Sequence, residues 1–164
     1  MSPMLRWGIS ADLRAGPFTV DEICCKNRRF AELKGFWMQN EAFVKTSKKV
    51  SKKAPLRFFD SVCGAEVFRA PVNRSLDSWL EESEEHGWPS FRTQEAVMEN
   101  LVMMPGGEVQ SVCGTHLGHN IPDAQGDRYC IDLVCIAGEE NQVQTSLQVY
   151  FGCGRCFQEH LKRF

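Results

Sequence analysis

The sequence predicts a mainly β domain of roughly 100 residues behind a basic, partly helical N-terminal extension. Three observations carry this expectation. From Leu56 onward, short apolar stretches alternate with Gly, Pro and Asn at close intervals, as strands joined by tight turns do. Little of that region holds the three-to-four spacing of an amphipathic helix. The charge also divides: up to Asp60 there are twelve Lys and Arg against six Asp and Glu, and from Ser61 onward seven against fifteen. Such asymmetry marks a basic extension attached to an acidic body.

At 164 residues the chain has room for one domain and an extension. Its 43% apolar and 24% charged residues are ordinary for a folded domain. No apolar run approaches the roughly 18 to 20 residues of a membrane-spanning helix, so no span is expected. Eight cysteines (24, 25, 63, 113, 130, 135, 153 and 156) fall below the density of a small disulfide scaffold. A reducing compartment is therefore expected, with the cysteines acting as thiols, metal ligands or redox pairs. Arg6 and Arg14 with few acids nearby resemble a mitochondrial presequence, although Asp12, Asp21 and Glu22 depart from that pattern. Mitochondrial location is the expectation, with the cytoplasm as the alternative.

The extension comprises residues 1–55. Within it, "VDEICCKNRRFAELKGFWMQNEAF" (20–43) sets Ile23, Phe30, Leu33 and Trp37 near helical spacing, with Asp21 as a cap and Gly35 weakening the far end. "KTSKKVSKK" (45–53) holds five lysines in nine residues. It reads either as a solvated linker or as an arm that docks on RNA or on an acidic protein surface. The β domain, 56–152, opens with "FFDSVCGAEVF" (58–68), a hairpin turning near Cys63 and Gly64. "SLDSWLEESEEHG" (75–87) is acidic and suits a short helix or loop. "AVMENLVMM" (96–104) leads into "PGGEVQSVCG" (105–114), a turn and then a strand. "RYCIDLVCIAG" (128–138) and "VQTSLQVYFG" (143–152) are apolar enough for central strands. The tail, 153–164, carries the pair "CGRC" (153–156).

"HLGHNIPDAQGDRYCI" (116–131) gathers two of the four histidines, an arginine and a cysteine. In a strand, residues two apart share a face. Arg128, Cys130 and Asp132 would then line one side, with Tyr129, Ile131 and Leu133 on the other. A guanidinium beside Cys130 favours the nucleophilic thiolate. His116 and His119 can act as acids or orient a substrate. These are the parts of a cysteine-nucleophile site; they are also what a buried cysteine flanked by loop-bonded histidines looks like. Zinc held by the two histidines would want two further ligands.

"HGWPSF" (86–91), "VCGTHLGHNIPD" (112–123) and "RYCID" (128–132), in that order, resemble the signatures of the type B methionine sulfoxide reductases, the SelR family. "VCGAEVF" (62–68) resembles the cysteine knuckle that opens the family's domain, so the likeness covers residues 56 to 138. It implies two small antiparallel sheets, the SelR/Mss4-like β-tent, and reduction of methionine-R-sulfoxide in oxidised proteins. Cys130 matches the catalytic cysteine, and His116 and His119 the histidines that place and protonate the sulfoxide oxygen. Arg128 matches the arginine near the nucleophile, and Trp88 the indole that packs on the substrate methyl. Phe91 and Asp132 fall in the motifs assigned to substrate binding. Cys130 would become a sulfenic acid, to be restored by a second thiol or a thioredoxin-like protein.

Four departures from the family pattern shape further expectations. Asp132 stands where asparagine is usual; at about 6.5 Å its charge would oppose the thiolate by ~2.5 kcal/mol at an effective dielectric of 20, with Arg128 as an offset. His86 occupies the place where some members carry a resolving cysteine, and Cys135 is a poor substitute if it lies on the opposite strand face. The loop "NIPDAQGD" (120–127) is short, which alters the pocket rim. Finally, Asp60 and Gln110 replace the first cysteine of each zinc knuckle, leaving Cys63 and Cys113. Around tetrahedral zinc those sulfurs would lie about 3.8 Å apart. They are expected as neighbours: free thiols, a disulfide, or half of a rebuilt zinc site with Cys153 and Cys156. "CGRC" is alternatively a redox pair that recycles Cys130.

Two readings of function follow. One is a methionine-R-sulfoxide reductase. The other is a retired reductase domain serving as a subunit of a large assembly, ribosomal or otherwise, held there by the basic arm. On the second reading, deleting residues 1–53 leaves the domain folded and frees it from its partner.

Overall fold

The structure, a computed structural model, describes residues 4–6, 14–26, 29–48 and 54–139. The two antiparallel sheets expected from the resemblance are present. The first has strand order β1–β9–β2–β3, built from β1 (Met4–Arg6), β2 (Leu56–Asp60), β3 (Glu66–Ala70) and β9 (Ile136–Glu139). The second has order β4–β8–β7–β6–β5, from β4 (Ser90–Arg92), β5 (Leu101–Met103), β6 (Glu108–Ser111), β7 (His116–Asn120) and β8 (Arg128–Ile131). Three helices, α1 (Phe36–Gln39), α2 (Glu41–Lys48) and α3 (Leu76–His86), flank them.

Local chemistry accounts for these elements. The β2–β3 hairpin turns over 61–65, where Asp60 Oδ1 accepts from the backbone N–H of Val62 (2.6 Å) and Cys63 (3.3 Å), an aspartate closing its own turn. The acidic segment 75–87 is a helix: Ser75 caps it by accepting from Ser78 N at 3.0 Å, and Gly87, at φ 92, ends it. Trp79 and Ser83, one turn apart, face inward. "RYCIDLVCIAG" does not run as one strand. It makes β8, breaks at Asp132, turns through the 3-10 segment Leu133–Cys135 and enters the other sheet as β9. The segment 143–152 lies outside the described residues.

The core is aromatic. Phe68 stacks on Phe91 at 4.3 Å, and Phe58 and Trp79 pack on the same ring at 5.1 and 5.7 Å. Each fully buried ring of this kind stabilises the fold by about 1.5–3 kcal/mol. The extension adds to this core. Phe43 from α2 meets Trp79 at 6.2 Å, and Ile23, Cys24 and Trp37 are buried in the same cluster.

The single helix expected over 20–43 is not formed. Among the described residues, a π-turn at Glu22–Lys26, an irregular stretch over 29–35 and α1 stand in its place. Two causes are visible. Gly35 adopts φ 81, a left-handed conformation that stops a helix, and a disulfide joins Cys24 to Cys135. The buried residues 23, 32 and 37 then follow no helical stripe, and Leu33 stays 57% exposed. Among the described residues no helix is long and apolar enough to cross a membrane.

Candidate active site

Strand β8 carries the nucleophile candidate between two neighbours. In the register, Cys130 stands opposite His119 of β7 and opposite Ser90 of β4. Directly opposed side chains across a ladder are in contact range, so a thiol and an imidazole share one face. Gly118 makes the approach feasible, because a Cβ there would fall 2.0 Å from the Cys130 carbonyl oxygen. Alternation places Tyr129 and Ile131 on the core side, both buried, as the sequence implied. On the other flank Ile131 N donates to Pro89 O at 3.0 Å, which brings Trp88 beside the same strand.

The two histidines play different electrostatic parts. Buried His116 lies with Nδ1 2.9 Å from Glu108 Oε1, and its Nε2 is 3.6 Å from Asp132 Oδ2, beyond hydrogen-bond range. Burial pulls its pKa down, but Asp132 and Glu108 outweigh burial and leave it raised. His119, 5.4 Å away ring to ring, has its pKa lowered by burial and by the charge on His116. One imidazole thus holds its proton more tightly than usual and the other less tightly, a pairing that suits proton transfer.

Burial is the main force on Cys130, pushing its thiol up to about 11; Arg128 opposes this, while Asp132 and Glu32 add to it. The expected antagonism between Arg128 and Asp132 is present, but desolvation exceeds both. Arg128 is buried, with Nε 3.4 Å from Asp123 Oδ2. Asp123 accepts two hydrogen bonds from Arg92, at 2.9 and 2.8 Å, which hold its carboxyl well below the usual range. Arg92 also bonds Glu82, and Arg74 ties Glu82 to Glu95. The short loop after β7 is therefore anchored to α3 through a chain of ion pairs.

Most of the residues named from the sequence converge. Cys130, His116, His119, Arg128 and Asp132 meet around β7 and β8, and Trp88 joins them. Phe91 does not: it is fully buried, stacked in the aromatic core, because residue alternation in β4 turns it away from Ser90 and Cys130. Three residues that the sequence reading passed over belong to the site. Glu108 is two positions before Gln110 and opposite His119 in the ladder. Asp123 lay inside the quoted motif. Glu32 gave no local signal; the fold alone brings it in. Its N–H donates to Asp132 Oδ1 at 3.0 Å, its carbonyl accepts from Trp88 Nε1 at 3.1 Å, and its Oε2 accepts from Val134 N at 3.1 Å.

With this geometry in place, one characterised protein is informative. The peptide methionine sulfoxide reductase MsrB of Leifsonia xyli subsp. xyli is 33% identical over 87 residues, covering 46% of this chain and 57% of that protein. The likeness is to type B reductases. The chain spans little more than half the length of the relative it matches. No protein-family model matches the chain.

The zinc knuckle expected from the resemblance is not formed among the described residues. Asp60, Cys63 and Cys113 form a cluster of metal-ligating type, their ligand atoms within 4.8 Å of one another. Yet Cys63 and Cys113 are bonded as a disulfide at 2.02 Å, far inside the separation that a shared zinc imposes. Asp60 spends Oδ2 on the Ser111 hydroxyl at 2.5 Å. Gln110 stands outside this cluster, its side-chain amide donating to Glu108 Oε1 at 2.9 Å. A bulge between Val109 and Gln110 shifts the strand by one residue. In this state the described residues do not fit a four-thiolate zinc site; Cys153 and Cys156 lie outside the described residues. Cys135 cannot resolve Cys130, since it is tied to Cys24. Cys25 is also disulfide-bonded, and Cys130 is the free thiol among the described residues.

Proposed function

We propose that the chain reduces methionine-R-sulfoxide in oxidised proteins, with Cys130 as nucleophile. The observation that carries this reading is the alignment of Cys130 with His119 across β7 and β8, beside Arg128 and a His116 whose pKa is raised. The Cys130 sulfur attacks the sulfoxide sulfur. The substrate S–O bond breaks, an S–O bond forms on Cys130, and methionine departs with both electrons. His116 supplies a proton to the oxygen as it transfers, and the neutral His119 takes the proton of the thiol. Cys130 ends as sulfenic acid.

Recycling falls to an outside dithiol of the thioredoxin type. It would attack the sulfenic sulfur, release the oxygen as water and close its own disulfide. The described thiols favour this, because the neighbouring Cys135 and Cys24 are already paired. Trp88 offers the indole face for the substrate methyl, and sulfur–aromatic contact suits it. A peptide carrying methionine-R-sulfoxide tests the reading. Turnover with dithiothreitol that disappears in Cys130→Ser supports it, and equal, negligible rates in the two proteins sink it.

A further inference from the structure

Glu32, from the N-terminal extension, touches the site at three points. Its backbone N–H holds Asp132 Oδ1, its carbonyl holds the Trp88 indole, and its carboxyl oxygen Oε2 accepts from Val134 N in the turn after Asp132. We propose that Glu32 is a positioning residue of the Cys130 site, clamping Trp88 and Asp132 through its backbone and fixing the following turn through its carboxyl. The inference rests on the reductase reading only for what the site does; the clamp itself is geometric.

Two further observations give the carboxyl a part in the chemistry. Four of the eight buried side-chain N and O atoms without a hydrogen bond among the described residues are Glu32 Oε1, His116 Nε2, and Arg128 Nε and Nη1. Buried polar atoms ordinarily find partners, so their concentration around one thiol marks a place prepared for a polar guest. The sulfoxide oxygen, an acceptor, meets the need of the three nitrogen donors. Burial first, and then the charge on Asp132, raise the Glu32 pKa well above the usual carboxyl range, against the pull of the Leu133 and Val134 N–H groups. The charge on Glu32, with that on Asp132, in turn pushes the Cys130 thiol up. The groups that set this balance are Asp132, His116, Arg128 and the Cys130 thiol.

The full-length protein supplies the test. Alkylation of Cys130 by iodoacetamide, followed by peptide mass spectrometry against pH, reads its thiol without any need for turnover. Glu32→Gln keeps the shape and removes the ionisable group. Its thiol midpoint is expected to fall from the wild-type value by roughly half to one pH unit, a three- to tenfold gain in thiolate on the alkaline side. Glu32→Ala should in addition raise KM for the sulfoxide peptide more than it lowers kcat, as Asp132 and Trp88 lose their fixed places. An alkylation curve unchanged in Glu32→Gln, together with an unchanged KM in Glu32→Ala, overturns the inference. In the unmodified protein the Trp88 indole N–H should be protected from solvent exchange by NMR; free exchange overturns the clamp even if neither variant folds. Absence of turnover in a wild-type protein that shows the shift would remove the reductase reading and leave the clamp standing.

Discussion

Glu32 donates its backbone N–H to Oδ1 of Asp132 at 3.0 Å, across a hundred positions of sequence. The contact is buried at both ends. It binds the extension to the residue two places beyond Cys130, so the first third of the chain contributes to the candidate site as well as to the fold. The Cys24–Cys135 bond, formed three residues further along, fastens the same two segments covalently.

This arrangement reverses the expectation for truncation. Phe43 is fully buried, and Trp37 is 5% exposed. Removing residues 1–53 strips both from the core along with Ile23 and Cys24. The shortened chain is expected to lose its cooperative unfolding transition in urea. Phe43→Ala alone should cost about 3–5 kcal/mol, the usual range for a buried aromatic. A truncated domain with a native-like melt would return the extension to the status of an appended arm.

The knuckle yields a second prediction. Disulfides stabilise chiefly by restricting the unfolded chain, and a loop of 50 residues is worth about 4 kcal/mol in the chain-entropy description. Cys63→Ser with Cys113→Ser should lower stability by up to that amount. The oxidised protein should carry no stoichiometric zinc by elemental analysis, and thiol counting under denaturing conditions should find Cys63 and Cys113 blocked until a reductant is added. One zinc per chain, with both thiols free, would show that the metal knuckle survives.

Much of the fold was legible because the sheets are built from local patterns. The hairpin at 58–68, the acidic helix and the turn before β6 each carry their own signals in glycine, aspartate and alternation. The neighbours of Cys130 were legible for the same reason, since Arg128, Cys130, His116 and His119 lie on adjacent paired strands. What could not be read depends on distance or on register. The register shift between Val109 and Gln110, which passes over Leu117 in β7, had no signal in the spacing. Alternation in β4 sent Phe91 into the core. Glu32 is surrounded by ordinary extension sequence, and only long-range packing sets it against Asp132 and Trp88. Cys63 and Cys113 were expected as neighbours and are joined as a disulfide, whereas the Cys24–Cys135 pair, separated by 111 positions, left no local trace.

Asp132 sets up a third prediction. Its charge raises the Cys130 thiol after burial, and Arg128 lowers it. Asp132→Asn keeps an oxygen for the Glu32 N–H while removing the charge. Its thiol midpoint should move down from about 11, and iodoacetamide should react faster at neutral pH. Arg128→Met should move the midpoint the other way. Identical alkylation curves in wild type and both variants would mean that neither charge reaches the sulfur.

His116 gives stability a pH dependence whose sign is fixed. Its pKa in the folded protein is raised, with Asp132 and Glu108 outweighing burial, while in the unfolded chain it returns to about 6.5. A raised pKa means that the folded state holds the proton more tightly. The resulting stabilisation is complete below the unfolded value and is lost as pH rises through the folded one. His116→Gln removes this dependence and leaves Glu108 a neutral partner. Urea unfolding of the two proteins from pH 6 to pH 9 should therefore show the wild-type advantage greatest at pH 6, roughly 1–3 kcal/mol for a charged hydrogen bond, and shrinking steadily toward the alkaline end. A difference constant across that range would show that His116 stays neutral between its two carboxylates, and proton donation to the sulfoxide oxygen would then have to come from another group of the site.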